Sequence, residues 1–365
     1  MPVRFTKRLI ADERYEAADV FDVNNDGYLD IVSGAYWYEG PDFTKRHFIG
    51  EVRPEGEYFD AFSAIPMDVD GDGYLDIIVG SWWGPLRWRK NPGPSGGTWT
   101  EHLIAECGNI EAVITADVDG DGQEEIVPNT PGAPLRVYKL VTDAAGRGTG
   151  RFEEFTLWPH PQGHGLGWGD LNGDGRGDFV LAGGWLECPA EPLHGEWVLH
   201  QDFQFGGASV PILVADVNRD GLADIIVGQG HNYGLDWWEQ TRDANGKRGW
   251  KRHPIDPFCS QYHAMAWADI DGDGQPELVT GSRYRAHCGN DPGEWDDIGV
   301  YYFKWNGESF SKQVIDHGRV REATGIGIRF ALADLRNTGR LDLVAPGKDG
   351  LYVFFNEGQP VSPDR

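Results

Sequence analysis

The chain has 365 residues, with 58 acidic against 32 basic side chains and a formal charge of −26. That balance speaks against a nucleic-acid partner, and no apolar run approaches the ~20 residues that a membrane span needs. Length alone would suggest two domains, but internal repetition replaces that reading.

In chain order, the first segment is Phe5-Thr-Lys-Arg-Leu-Ile10-Ala-Asp12, a lone strand pattern. Residues 1–8 lack the apolar core of a secretory leader, which leaves a cytosolic protein or a secreted one whose leader has been removed. A loop of alternating oxygen ligands follows: Asp22, Asn24, Asp26 and Asp30, with glycine at position 6. It recurs as Asp68, Asp70, Asp72, Asp76; as Asp117, Asp119, Asp121, Glu125; and as Asp170, Asn172, Asp174, Asp178. Then come Asp216, Asn218, Asp220, Asp224; and Asp269, Asp271, Asp273, Glu277. Such loops suit a hard cation such as Ca²⁺, and the glycine permits the sharp turn. A seventh copy at Asp334 has Arg336 and Thr338 in ligand positions, so six calcium sites are the upper bound. The six intact loops hold 22 of the 58 acids, so much of the charge is a cation-binding signature.

The first aspartates are 46, 49, 53, 46, 53 and 65 residues apart. Around each loop lie four short β-branched or aromatic runs separated by Gly, Pro and Asn, with no sustained helical period. Four strands repeated seven times predict an all-β, seven-bladed propeller. Its blades span about 15–50, 59–105, 109–158, 162–203, 209–256, 261–316 and 325–357, the last completed by 3–12. The opening segment matches Phe310–Asp316, an outer strand, so it should pair onto the last blade and close the ring. Cys107, Cys188, Cys259 and Cys288 form no CxxC pair, and free thiols are favoured over disulfides.

Strand one of each blade runs into the loop and strand two runs back, so the residues flanking them meet at the opposite rim of the axial channel. Six residues before each first aspartate stand Glu16, Phe62, Glu111, His164, Val210, His263 and Ile328. His231, Arg283 and Lys348 follow second strands on the same rim. His164, His231, His263 and Glu111 converging there suit a transition metal or acid–base chemistry, with Arg283 and Lys348 placed for an oxyanion. Trp82, Asn129, Trp185, Tyr233, Tyr262, Arg285 and His287 are candidate substrate contacts, and a long polar insertion at 283–297 lies on this rim. His47, His102, His200 and His253 recur beside a Trp or Phe in outer strands and read as blade packing.

The repeat resembles the FG-GAP/VCBS family of calcium-loop propellers. Locally, His164-Gly-Leu-Gly-Trp, Gly228-Gln-Gly-His231-Asn-Tyr and Ser260-Gln-Tyr-His263 with Thr280-Gly-Ser-Arg-Tyr-Arg-Ala-His287 are similar to the propeller part of aldos-2-ulose dehydratase-like sugar lyases. The resemblance implies a carbon–oxygen lyase acting on a keto-sugar, keto-glycoside or uronide, with His263 or His164 as base and His231, His287 and Glu111 as metal ligands or acid. It also implies a sugar or oligosaccharide ligand, and one transition metal or Mg²⁺ in the channel beside the calcium ions. The alternative is a non-catalytic, calcium-stabilised glycan- or protein-binding propeller.

Overall fold

A computed structural model describes residues 2–359. It contains seven four-stranded antiparallel sheets and one extra two-stranded hairpin, Pro54–Glu55 with Tyr58–Phe59. Among the described residues the single helical turn is the 3₁₀ segment Gly93–Ser95, and no helix is long and apolar enough to cross a membrane.

The innermost strands are Ala18–Phe21, Ile65–Met67, Ala112–Ala116, Leu166–Gly169, Leu213–Ala215, Tyr262–Ala268 and Ala331–Ala333. Neighbouring ones meet around the axis, where Ile212 N donates to Leu166 O at 2.7 Å and Ala18 N to Arg329 O at 3.0 Å. Second strands such as Ile77–Ile78 and Ile225–Ile226 are buried on both faces, which explains their unbroken apolar runs. The ring closes as the sequence predicts. Phe5–Ala11 pairs antiparallel with Gly350–Asn356, from Phe5 opposite Asn356 to Ala11 opposite Leu351.

The acidic loops hold their shape through backbone bonds to carboxylates. In the first, Asp22 accepts from the amides of Asp26 and Gly27, and the buried Asp30 accepts from Val23 and Gly40. The carboxylate at position 9 therefore ties the loop to the third strand. The glycine at position 6 has φ between +76° and +89° in all seven loops, from Gly27 to Gly339. An added Cβ would meet nothing within 4 Å there, so conformation rather than space selects glycine. Outer-strand histidines stack flat on third-strand tryptophans: His47 on Trp37, His102 on Trp88, His200 on Trp185 and His253 on Trp237, at 3.9–4.4 Å. All four cysteines are free thiols, with Cys107 and Cys188 buried.

On the axis, Phe62, Val210 and Ile328 join one buried apolar cluster. Phe62 lines a cavity on either side, and Val210 and Ile328 line the one towards the acidic loops. On the loop side of them the innermost strands enclose a mostly apolar cavity of about 340 Å³. On the rim side lies the chemistry.

Candidate active site at the channel rim

Four side chains from four blades converge where the innermost strands begin. Glu111, His164, His231 and His263 each offer one ligand atom, and these atoms all lie within 4.8 Å of one another. Glu111, His164 and His263 come from the shared register position before strand one. His231 comes from the blade between, on the turn after Asp224–Gly228. Gly230 lets that turn approach: a Cβ there would lie 3.1 Å from His263 Cδ2 and 3.4 Å from His164 Cε1. Gln261, two residues before His263, sits at φ +64°, a strained conformation for this residue.

Hydrogen bonds fix the tautomers. His164 Nδ1 lies 2.7 Å from the Ala208 carbonyl oxygen, which only accepts, so Nδ1 carries the proton and Nε2 the lone pair. His231 Nδ1 lies 2.9 Å from Asp291 Oδ2, with the same consequence. The two Nε2 atoms then face each other at 2.8 Å, lone pair to lone pair, an arrangement that calls for an electrophile between them. His263 Nε2 and His164 Nε2 stand 3.0 and 3.4 Å from Glu111 Oε1. His263 Nδ1 is buried without a partner.

Burial, then the charge of Arg283, lowers the His263 pKa to about 4. Burial and the neighbouring His263 and His164 drive His231 far below its ordinary value. Both rings are therefore neutral near pH 7. Burial alone would raise the Glu111 carboxyl, but the adjacent His164 and His263 hold it well below the usual carboxylate range. Three imidazoles and one carboxylate, two of the rings oriented by a carbonyl and a carboxylate behind them, fit a divalent transition metal.

A cavity of about 450 Å³ opens onto this cluster, lined by Glu111, His164, Arg283 and His287 and walled by Tyr58, Phe62, Trp82, Trp83 and Pro131. That size and mixture suit a small ligand. The 283–297 insertion folds over the rim. Its His287 stacks on His231 at 3.9 Å and its Nδ1 meets Asp291 Oδ1 at 2.9 Å, so Asp291 bridges both rings. The hairpin supports the insertion through Tyr58, which donates to Ala286 O at 2.7 Å, and through Glu57, which pairs with Arg285 at 2.6 Å.

The remaining sequence candidates divide. Arg283 is buried, its Nε 2.9 Å from Glu16 and its Nη1 3.4 Å from Glu111; burial would lower its pKa, but Glu16 and Glu111 raise it further above the ordinary value. Lys348 does not line the cavity. Its Nζ donates to Arg285 O at 2.6 Å and lies 3.8 Å from Glu16, so it anchors the insertion instead of facing an oxyanion. Asn129 is buried and brackets His164, donating to Gly163 O and accepting from Gly165 N. Trp185 and Tyr262 are buried within blades, where they donate to Asp202 and Asp256 and do not line the rim cavity. Tyr233 is exposed and bonds Asp296 at the outer rim. Arg285 is spent on Glu57 and lies over Trp295. Glu16, Tyr58 and Asp291 were not among the candidates. Glu16 shares the register position of Glu111 and could have been found by it, whereas Tyr58 and Asp291 sit on excursions that no periodicity places.

The FG-GAP-like repeat model matches residues 68–127 and 203–280. Within the seven-bladed propeller, these two segments are FG-GAP-like repeats. No curated protein sequence matches this propeller. Among solved structures, BBS1N in complex with ARL6DN aligns over 97% of this chain and 96% of that one, at 12% identity and TM-score 0.54. An Agrocybe aegerita lectin with specific recognition of non-reducing terminal N-acetylglucosamine aligns over 92% and 89%, at 18% identity and TM-score 0.46. Rhamnogalacturonan lyase YesW aligns over 97% and 73%, at 14% identity and TM-score 0.45. At 12% identity and TM-score 0.54 this chain shares its fold with BBS1N, and function must be argued from its own rim.

Proposed function

We propose that the rim cavity is the active site of a metal-assisted carbon–oxygen lyase acting on a keto-sugar, a keto-glycoside or a uronide. The observation that carries this reading is the His₃–Glu cluster, whose Glu111 and His164 line a cavity with an aromatic wall. Flat rings such as Trp82 and Trp83 give a sugar an apolar face to lie on, and the charged floor meets its oxygens.

A divalent metal held by His164, His231, His263 and Glu111 would polarise a substrate carbonyl. The roles of the protein's own groups differ from those the resemblance implies. His263 is fully buried and engaged with Glu111, so it cannot reach a substrate proton. His287 lines the cavity and is oriented by Asp291, which leaves Nε2 free. It is the group placed to take the proton α to the carbonyl. The β carbon–oxygen bond then breaks, and the same imidazolium returns its proton to the departing oxygen. The substrate loses water or an alcohol and the protein ends unchanged. Arg283 balances the two buried carboxylates behind this floor.

The test is an elimination assay on metal-loaded protein, following the ultraviolet absorbance of the conjugated product from keto-sugars, 3-keto-glycosides and uronides. Turnover is expected, with a loss of about 10²-fold or more in His287→Ala while metal and ligand binding persist. A second reading, a glycan-binding propeller, is favoured by one observation: most of the cavity wall is aromatic or apolar. Saturable glycan binding without turnover on any of the three substrate classes would overturn the lyase and leave the binding module.

A further inference from the structure

The acidic loops are not equivalent, and the difference follows a cross-strand rule. The residue opposite loop position 9 on the third strand is one step beyond a paired residue in each blade. In blades two, three and six it is lysine: Lys90 beyond the Arg89–Ile77 pair, Lys139 beyond Tyr138–Ile126 and Lys304 beyond Phe303–Leu278. These same loops carry aspartate at position 3: Asp70, Asp119 and Asp271. In blades one, four and five the opposite residue is Glu39, Glu187 or Glu239, beyond Tyr38–Ile31, Leu186–Phe179 and Trp238–Ile225. Position 3 is then always asparagine: Asn24, Asn172 and Asn218. The extra carboxylate travels with an extra ammonium.

The lysines sit inside their loops. Lys139 Nζ lies 2.8 Å from Asp119, 2.7 Å from Asp121 and 2.9 Å from Glu125. Lys304 Nζ binds Asp271, with Asp273 at 2.6 Å and Glu277 at 3.2 Å. Lys90 Nζ binds Asp70, with Asp72 at 3.0 Å. An ammonium has three donors, so one lysine matches the carboxylates at positions 3, 5 and 9 that a calcium ion would draw together. The glutamates of the other class turn away, each accepting from an outer-strand histidine (His47, His200 or His253) at 2.7 Å. The seventh loop follows the lysine logic by another route, with Arg336 3.2 Å from Asp342. In the fourth loop Arg176 reaches the single carboxylate of Asp174 from the exposed side and leaves Asp170 and Asp178 to the backbone.

We propose that Lys90, Lys139 and Lys304 are built-in counter-ions that take the place of calcium in their loops, so that calcium binding is confined to the loops of blades one, four and five. The carboxylates of these three loops lie close enough together to hold a metal ion, but a cation of the protein's own already sits among them. Removing the lysine side chain's charge should convert each such loop into a calcium site with four uncompensated acids.

Calcium stoichiometry, read by native mass spectrometry and isothermal titration on chelator-treated full-length protein, tests this. The wild type should take no more than three calcium ions. Lys139→Gln and Lys304→Gln should each gain one, with affinity at that loop raised by at least about tenfold. If a variant fails to fold without calcium, its thermal midpoint measured with added Ca²⁺ decides: recovery to the wild-type value supports the inference, and no response to calcium overturns it. A wild type that binds six ions, or variants whose calcium count is unchanged, would also overturn it.

Discussion

Arg283 is the most demanding electrostatic element of the rim, and Arg283→Met tests its weight. The guanidinium is 2% exposed, and its partners Glu16 and Glu111 are 3% and 5% exposed. Its Nε meets Glu16 at 2.9 Å and its Nη1 meets Glu111 at 3.4 Å. Methionine keeps the apolar volume and removes the charge. Glu16 is then left with Lys348 at 3.8 Å as its nearest cation. Breaking a buried pair by removing one partner costs about 3–5 kcal/mol. With an unfolding entropy near ~2.1 cal/mol/K per residue, the 365 residues give about 0.8 kcal/mol/K, so the midpoint should fall by about 4–6 °C. Scanning calorimetry reads this directly. Adding Glu16→Gln to Arg283→Met should recover more than half of the loss, because one uncompensated carboxylate is then gone. A midpoint within about 1 °C of wild type for the single variant, or no recovery in the double, would refute the reasoning.

Three further outcomes follow from the geometry. A chain lacking residues 2–11 exposes the edge strand Gly350–Asn356 and should melt at least about 5 °C lower, with earlier proteolysis; an unchanged midpoint would show that the ring does not depend on this closure. Gly230→Ala should crowd His263 and His164 and weaken transition-metal retention about tenfold in a chelator competition while circular dichroism stays constant; undiminished affinity would show that the rings are free to shift. Asp256 is buried, which alone would raise its pKa, but the hydrogen bond from Lys312 at 2.6 Å brings it below the ordinary value. A lowered folded-state pKa stabilises above the unfolded value and is lost as pH falls. Lys312→Met should therefore cost stability at pH 7, and the difference from wild type should narrow below about pH 4; a difference constant with pH would contradict it.

The ring was legible because β-strands have a fixed period. A residue six places before each first aspartate stays in phase through seven copies, which is why Glu111, His164 and His263 could be placed together without coordinates. The closure by Phe5–Ala11 was legible for the same reason, through its match to Phe310–Asp316. What the linear pattern did not separate was side-chain direction within a blade. Trp185 and Tyr262 lie beside rim residues in sequence, but alternation sends their rings into the inter-blade packing. Lys348 lies at the rim, yet its ammonium turns to the backbone of the insertion. His287 and Asp291 occupy a long excursion whose path depends on Tyr58 and Glu57, far away in sequence. The lysine inside three acidic loops was present in the sequence all along. It becomes visible only once strand register shows which residue faces position 9.

The central claim is that the rim histidines hold a metal ion. Elemental analysis of the protein, after dialysis against a chelator strong enough for loop calcium but too weak for a histidine site, tests it most directly. The account predicts about one retained equivalent of zinc, manganese, iron or nickel per chain, lost in His164→Ala and in His231→Ala while the fold persists. Retention of no transition metal by the wild type, or full retention in both variants, would contradict it.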